Sequence, residues 1–323
     1  MAFARAVVLA FAAWLAASAA AAAEDYPSRL IRIVVPVAPG GLTDILAREI
    51  GHQLSLRLKQ PMIIENKAGA GGILGMGYAA HLPADGYNLL MAYPGPVVVN
   101  PWIYKDMPYD PSRDFVPVHL LASYAMVLAV NSEVPAKTLK EFIAYAKAKP
   151  GGVDYGSAGN ATSAHLTMEL FKRSAGVDLV HIPYRGAALA MTDLLAGRVA
   201  AVFDSIALVR PQVAEGKIRA LGISSKQRSE IMPDVPTIIE AGVPGFEAVG
   251  WYGIMAPTGT PQPIVDLLSR ELSAVLKEPA VREKFKEQAL EVMDAGPAAF
   301  KELLSTERDK WQRVVTEAKI TAD

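Results

Sequence analysis

The sequence predicts an α/β protein with mostly parallel sheets covered by helices, folded as two lobes facing one cleft. Three observations predict it. The 323 residues exceed one compact domain of about 100–200 residues. Short β runs alternate with amphipathic helices, the signature of strand–helix–strand crossovers. A strand, a glycine-containing loop and a helix start also follow one another twice, in Val35 to Thr43 and in Tyr155 to Thr162. Ligands of parallel α/β sheets sit beyond the carboxyl ends of strands, at helix N-termini. Two such loops in distant segments therefore imply two lobes.

Leu30 to Val35 reads as the first strand. Pro36 to Gly41 is a loop, and Leu42, Ile45, Leu46, Ile50, Leu54 and Leu58 then recur near helical spacing. Met62-Ile63-Ile64 and Tyr87 to Ala92 are further strands, with the glycine-rich Gly69 to Gly77 between them entering a helix. Thr138 and Glu141 have capping-box spacing, and Leu139, Phe142, Ile143 and Ala146 follow as an apolar stripe. Pro150-Gly151-Gly152 ends that helix. The cycle repeats with a strand near 153–156, a loop at 157–161 and a helix from Thr162. Strands near 178–182, 199–203 and 218–223 alternate with helices near 187–196 and 208–215. The C-terminal third reads as helical: Ile264, Leu267, Leu268, Leu272, Val275 and Leu276 form a stripe, and a Lys/Glu-rich helix spans 279–289.

Hydrophobic residues make up 51% and charged residues 20%, which excludes a disordered chain. The net charge is −1 with no long basic run, so no nucleic-acid partner is expected. Cysteine is absent, which removes disulfides, thiolate metal sites and cysteine nucleophiles. Residues 1–23 read as a cleaved secretory leader: Arg5, the apolar Val7 to Leu15, then Ala21-Ala22-Ala23. Removing it leaves 323 − 23 = 300 residues. The longest later apolar run, Val118 to Val130, is too short to span a bilayer. An exported, soluble mature protein is expected, with an uncleaved membrane anchor over residues 6–23 as the competing reading.

Catalytic motifs fail. No G-x-S-x-G, H-E-x-x-H or P-loop pattern occurs, and Gly69 to Gly75 does not match G-x-G-x-x-G. His52, His81, His119, His165 and His181 lack ligand spacing, so no metal and no cofactor are expected. His165 is expected to hydrogen-bond within its own loop. Asp44, Asp204, Ser157 and Ser205 assemble into a hydrolase only on paper, and a secreted hydrolase acting on a carboxylated substrate is kept as the rival reading.

The first loop is Val37-Ala38-Pro39-Gly40-Gly41-Leu42-Thr43-Asp44. Its glycines let backbone approach a ligand, and the following helix aims free N–H groups and a positive dipole end at it. An anion is thereby held without lysine or arginine. Helix capping is the competing role for Thr43 and Asp44. The second loop, Tyr155 through His165, offers hydroxyls, an amide and backbone donors at another helix start.

These loops carry a family resemblance. The chain resembles the Bug family (TctC-like), the periplasmic substrate-binding proteins of tripartite tricarboxylate transporters. Tyr26 through Asp44, Glu65 to Gly72, Pro83 to Tyr87, Tyr109-Asp110-Pro111 and Tyr155 to His165 carry it. So do His181 to Gly186, Phe203-Asp204-Ser205, Pro233 to Thr237 and Trp251-Tyr252-Gly253. The resemblance implies a two-lobed, type II periplasmic-binding-protein-like fold with the ligand between the lobes. Lobe 1 would comprise 24–124 plus 246–323, and lobe 2 would comprise 125–245. Crossovers would fall near Ser123–Val130 and Val249–Ala256. It implies a carboxylate gripped by Ala38, Pro39, Gly40, Gly41, Thr43 and Asp44 from one lobe. Ser157, Ala158, Gly159, Asn160, Ala161 and Thr162 would grip it from the other. Tyr93, Tyr184 and Asp204 would line the distal pocket. It further implies delivery to the transporter's membrane subunits, or presentation to a membrane sensor, and a monomer. Val37, Ala161 and Arg185 depart from the commonest residues at their positions, which weakens transfer of any specific ligand.

Overall fold

The computed structural model describes residues 26–149 and 151–321. The expected leader, residues 1–23, and Pro150 of the expected helix stop lie outside them. Strands are β1 (Ile31–Val35), β2 (Met62–Asn66), β3 (Asn88–Ala92), β4 (Phe115–Asn131), β5 (Val153–Ser157), β6 (Leu179–Pro183), β7 (Ala201–Ser205), β8 (Ile218–Ile223), β9 (Val249–Pro257) and β10 (Glu291–Ala295). Helices are α1 (Leu42–Leu58), α2 (Ile73–Ala80), α3 (Asn100–Ile103), α4 (Leu139–Ala148), α5 (Ser163–Ala175) and α6 (Ala187–Leu195). They continue with α7 (Ile206–Ala214), α8 (Gln262–Lys277), α9 (Pro279–Glu287) and α10 (Pro297–Ala318), and a π-turn at Gly95–Val99 precedes α3.

The strand order is β2-β1-β3-β9-β4-β7-β5-β6, with β8 and β10 also paired to β4. The two wings are parallel: β2-β1-β3 and β6-β5-β7. Everything that touches β4 is antiparallel. The sheet is therefore mixed, where the alternation pattern had predicted a mostly parallel one. The apolar run Val118 to Val130 lies inside one 17-residue strand. Its first part, Phe115 to Ala125, pairs with β9, and its last part, Met126 to Asn131, pairs with β7 and β8. One strand thus runs between the two wings, and β9 returns beside its first part. Both expected crossovers are strands, and the C-terminal third, expected to be helical, contains β9 and β10.

Local chemistry fixes the helix starts. Thr138 accepts from Glu141 N while the Glu141 carboxylate accepts from the Thr138 and Lys137 N–H groups, a complete capping box. Thr162 caps α5 through His165 N. The stripe on α8 is buried at Ile264, Leu268, Leu272, Val275 and Leu276. That of α1 is buried at Leu46, Ile50 and Leu54, but Ile45 is exposed. These two helices share one core with Ile31, Ile33 and Ile254 on lobe 1. A second core beneath α6 and α7 belongs to lobe 2. The third is continuous across both lobes, from Val34 and Leu90 through Trp251 and Phe300 to Phe171 and Phe203. Helix α10 lies over it, packing on β4, the π-turn and α5, and Arg173 of α5 pairs with Glu317 of α10.

The strand pair β4–β9 requires a glycine. Tyr124 lies opposite Gly250, and a Cβ on Gly250 would fall 1.9 Å from Tyr124 Cζ. Gly250→Ala is expected to cost about 1–3 kcal/mol by overpacking, read as a lower urea midpoint at constant m-value. A midpoint equal to wild type would mean that the Tyr124 ring moves aside without strain.

Candidate functional site

The first loop leaves β1 and enters α1 with Ala38 to Gly41 exposed. Gly40 has φ of 92°, a left-handed conformation that favours glycine. Behind the exposed arch, Asp44 ties a knot. Its Oδ2 accepts from Gly40 N at 2.9 Å and Arg48 Nε at 3.0 Å. Its Oδ1 accepts from Arg48 Nη2 at 2.9 Å and Asn66 Nδ2 at 2.9 Å. Asn66 Nδ2 also reaches the Val37 carbonyl at 3.1 Å. The Arg48 hydrogen bonds, with those from Gly40 and Asn66, hold the Asp44 carboxyl down to about 2 despite its burial. Gly41 is the α1 cap and no side chain caps it, so Asp44 braces the loop rather than capping the helix. Thr43 is buried against the Tyr252 hydroxyl.

The second loop is held from below. Ser157 accepts from Gly159 N at 3.1 Å and lies 2.6 Å from His181 Nε2. The His181 and His165 rings stack with centroids 3.9 Å apart, and Tyr155 stacks on His181 at 4.9 Å. The Tyr155 hydroxyl donates to Glu169 at 2.7 Å, and Lys172 pairs with the same oxygen at 2.8 Å. Burial, helped by the neighbouring His181 and Lys172, pulls His165 down to about 3. It is neutral at neutral pH, and its Nδ1 accepts from Ala161 N at 3.0 Å. That bond holds Ala161 at φ 58°, a left-handed conformation uncommon for a residue with a Cβ. His165 thus makes the local hydrogen bond expected of it. Thr162 Oγ1 donates to the Gly159 carbonyl at 2.8 Å, Tyr184 N reaches the Ser157 carbonyl at 3.0 Å, and Gly186 N reaches the Ala158 carbonyl at 3.2 Å.

A row of phenols joins the loops. From Thr43 at the start of α1, contacts run to Tyr252, to Tyr124 at 5.4 Å between centroids, and to Ser163 Oγ of α5 at 3.4 Å. Burial raises the pKa of Tyr93, Tyr124 and Tyr252, so all three stay protonated.

A cavity of about 310 Å³ lies between the lobes, within the usual range for small-ligand pockets. It is lined by Gly71, by Tyr93 to Gly95, Val99, Asn100 and Tyr104 after β3 and around α3, by Trp311 of α10, by Met126 of β4, by Asn160 to Ser163, Leu166 and Thr167 at the start of α5, and by 248–250. Of the expected site residues it is lined by Tyr93, Asn160, Ala161 and Thr162. Ala38, Pro39, Gly40, Gly41, Thr43, Asp44, Ser157, Ala158, Gly159, Tyr184 and Asp204 lie outside its lining. The Tyr184 hydroxyl donates to Asp193 at 2.7 Å, and burial together with that bond raises it to about 12. Asp204 is buried, which raises its carboxyl, and accepts from Ser205 N at 2.7 Å. Sequence reasoning did not single out Tyr124, Met126, Leu166 or Trp311. Their apolar types are indistinguishable from core until the strand and helix register is known.

The Ser157–His181 pair has hydrolase-like spacing, yet Ser157 is 1% exposed. No carboxylate hydrogen-bonds His181 among the described residues, so the pair lacks an orienting acid and an open face. Among the described residues no group of three His, Cys, Asp or Glu side chains is placed to hold a metal, and no helix is long and apolar enough to cross a membrane.

The model of the "Tripartite tricarboxylate transporter family receptor" matches residues 46–320. Protein BugT of Bordetella pertussis is 37% identical over 313 residues, covering 97% of this chain and 96% of its own. The R. palustris protein Rpa4515, solved with adipate, is 35% identical with a TM-score of 0.78, over 92% of this chain and 99% of its own. MatC (Rpa3494) from Rhodopseudomonas palustris, solved with bound malate, is 33% identical with a TM-score of 0.73, over 90% of this chain and 100% of its own. With its two α/β lobes and the cavity between them, the chain belongs to the tripartite tricarboxylate transporter receptors, a family of solute-binding proteins rather than enzymes.

Proposed function

We propose that the protein captures a small carboxylate between its lobes in the periplasm and delivers it to the membrane subunits of a tripartite tricarboxylate transporter. Two relatives of similar fold hold carboxylates, adipate and malate. The observation that carries the reading here is the α5 start, Asn160 to Ser163, at the wall of the interlobe cavity. A helix N-terminus presents N–H groups and a positive dipole end to an anion. In this reading Ala158 to Thr162 and Ala38 to Gly41 supply the grip, largely with backbone donors, Thr43 joins them, the enclosed Ser157 fixes the turn beneath the second loop, and Asp44 braces the first loop. Tyr93 meets the ligand; Tyr184 and Asp204 support the cleft wall.

The lobes are taken as 24–124 plus 246–323 and 125–245, turning about the β4–β9 crossover. A ligand closes them only if it binds the closed form better, so it must touch both. Residues 1–23 are taken as the leader that exports the chain. The monomer then works alone in the periplasm, and its lobe surfaces dock on the transporter.

A thermal-shift screen of residues 24–323 against carboxylates and their matched neutral amides tests the grip. An acid at a hundred times its dissociation constant is expected to add roughly 2.7 kcal/mol of stability, and its amide far less. Equal shifts from acids and amides would remove the anion argument.

Asp44 makes a separate prediction. Its folded pKa of about 2 lies below the ordinary aspartate value of about 3.9. Its contribution is therefore fully present above about pH 4 and is lost as the pH falls through about 2. The stability gap between wild type and Asp44→Asn should be constant from pH 5 to 7, and should shrink below about pH 4 in urea titrations. A gap independent of pH would mean that the ionised Asp44–Arg48 knot does not brace the loop.

A further inference from the structure

We infer that the interlobe cavity takes the body of a singly charged carboxylate, a ring-sized or short-alkyl acid, and discriminates against di- and tricarboxylates. This rests on the carboxylate reading above. The cavity, about 310 Å³, has room for about ten waters at roughly 30 Å³ each. That suits a ligand on the order of ten non-hydrogen atoms.

None of the described residues lining it is Lys, Arg, His, Asp or Glu. Its chemistry changes along α5. At Asn160 to Ser163 the wall is a helix start. One turn further on, about 5.4 Å along the axis, it is Leu166 facing Met126 and Trp311. Three polar groups there are already engaged. Trp311 Nε1 donates to Glu307 at 2.8 Å, so the indole offers only its ring. The Thr167 hydroxyl donates to the Met126 sulfur at 3.5 Å. Asn100 Nδ2 donates to the Gly71 carbonyl at 3.1 Å. Lys310, which lies over the Trp311 ring, is paired with Glu307.

The phenols of Tyr93 and Tyr104 make no side-chain hydrogen bond among the described residues, and both lie by the Gly71–Gly72 turn. They suit an uncharged oxygen at the far end of a ligand. A second carboxylate there would meet only phenol hydroxyls, with no cation among the described lining residues, and its desolvation would be costly.

Isothermal titration of residues 24–323 with matched pairs tests this: hexanoate against adipate, and benzoate against terephthalate, with hexanamide and benzamide as neutral controls. The monoacid of each pair is expected to bind at least about tenfold tighter than the diacid, since the diacid buries an unpaired charge. Val249→Lys, which puts an ammonium at the cavity wall, should shrink that preference by about tenfold. Monoacids that beat their amides while diacids bind as tightly would overturn this inference and leave the carboxylate reading standing. Amides that bind like acids would overturn both. No binding by either monoacid, or an unchanged preference in Val249→Lys, would also overturn the inference.

Discussion

A cavity whose described lining carries no charged side chain can hold an anion only with backbone donors and hydroxyls, and such donors work only if the loops carrying them stay still. This constraint accounts for much of the polar chemistry around the cleft. The Asp44–Arg48–Asn66 knot closes behind the first loop. The Tyr155–His181–His165 stack stands beneath the second. In both, the ionisable groups are absent from the described cavity lining, and their charges are matched by partners or removed by burial. A neutral His165 is part of this design: its Nδ1 accepts from Ala161 N, and a proton on that nitrogen would abolish the bond.

In the proposed reading, stillness within each lobe has to coexist with movement between lobes. The shared strand β4 and its neighbour β9 meet that requirement. Each belongs to a well-buried sheet, yet they are the covalent links between the wings. Tyr124 sits at that point, stacked near Tyr252 and within reach of Ser163. Gly250 leaves the space its ring occupies. Opening of the lobes would separate Tyr124 from Ser163, a weak contact at 3.4 Å, while leaving the strand pair intact. Helix α10 adds a second tie across the back through α5.

Much of this was legible in the sequence, and the limits are physical. Capping chemistry is local, so Thr138–Glu141 and the α5 start at Thr162 could be read directly. Helical stripes placed α1 and α8, although Ile45 of the α1 stripe is exposed. The 17-residue strand β4 was visible only as an apolar run, because a strand buried on both faces loses its alternation. The mixed sheet was hidden for the same reason: pairing partners are set by long-range register, not by composition. At the candidate site, the loops were findable from their glycines and small polar residues. The cavity wall was not. Trp311 comes from the last helix, and Met126 from the middle of an apolar strand, and nothing local distinguishes them from core.

The pair Ser157–His181 shows why geometry must be weighed before a role is assigned. A 2.6 Å serine–histidine contact is the spacing a nucleophile needs. Here the serine also accepts from Gly159 N and is almost fully enclosed. The same bond that would activate a nucleophile instead fixes the turn at the end of β5, where the second loop begins. Removing the hydroxyl would leave Gly159 N and His181 without a partner under a loop whose shape depends on them. The expected consequence is a loosened α5 start and weaker anion binding, reached without any chemistry on the ligand. A group that looks catalytic in isolation is thus better explained by what a binding protein needs: donors held still, and a ligand returned unchanged.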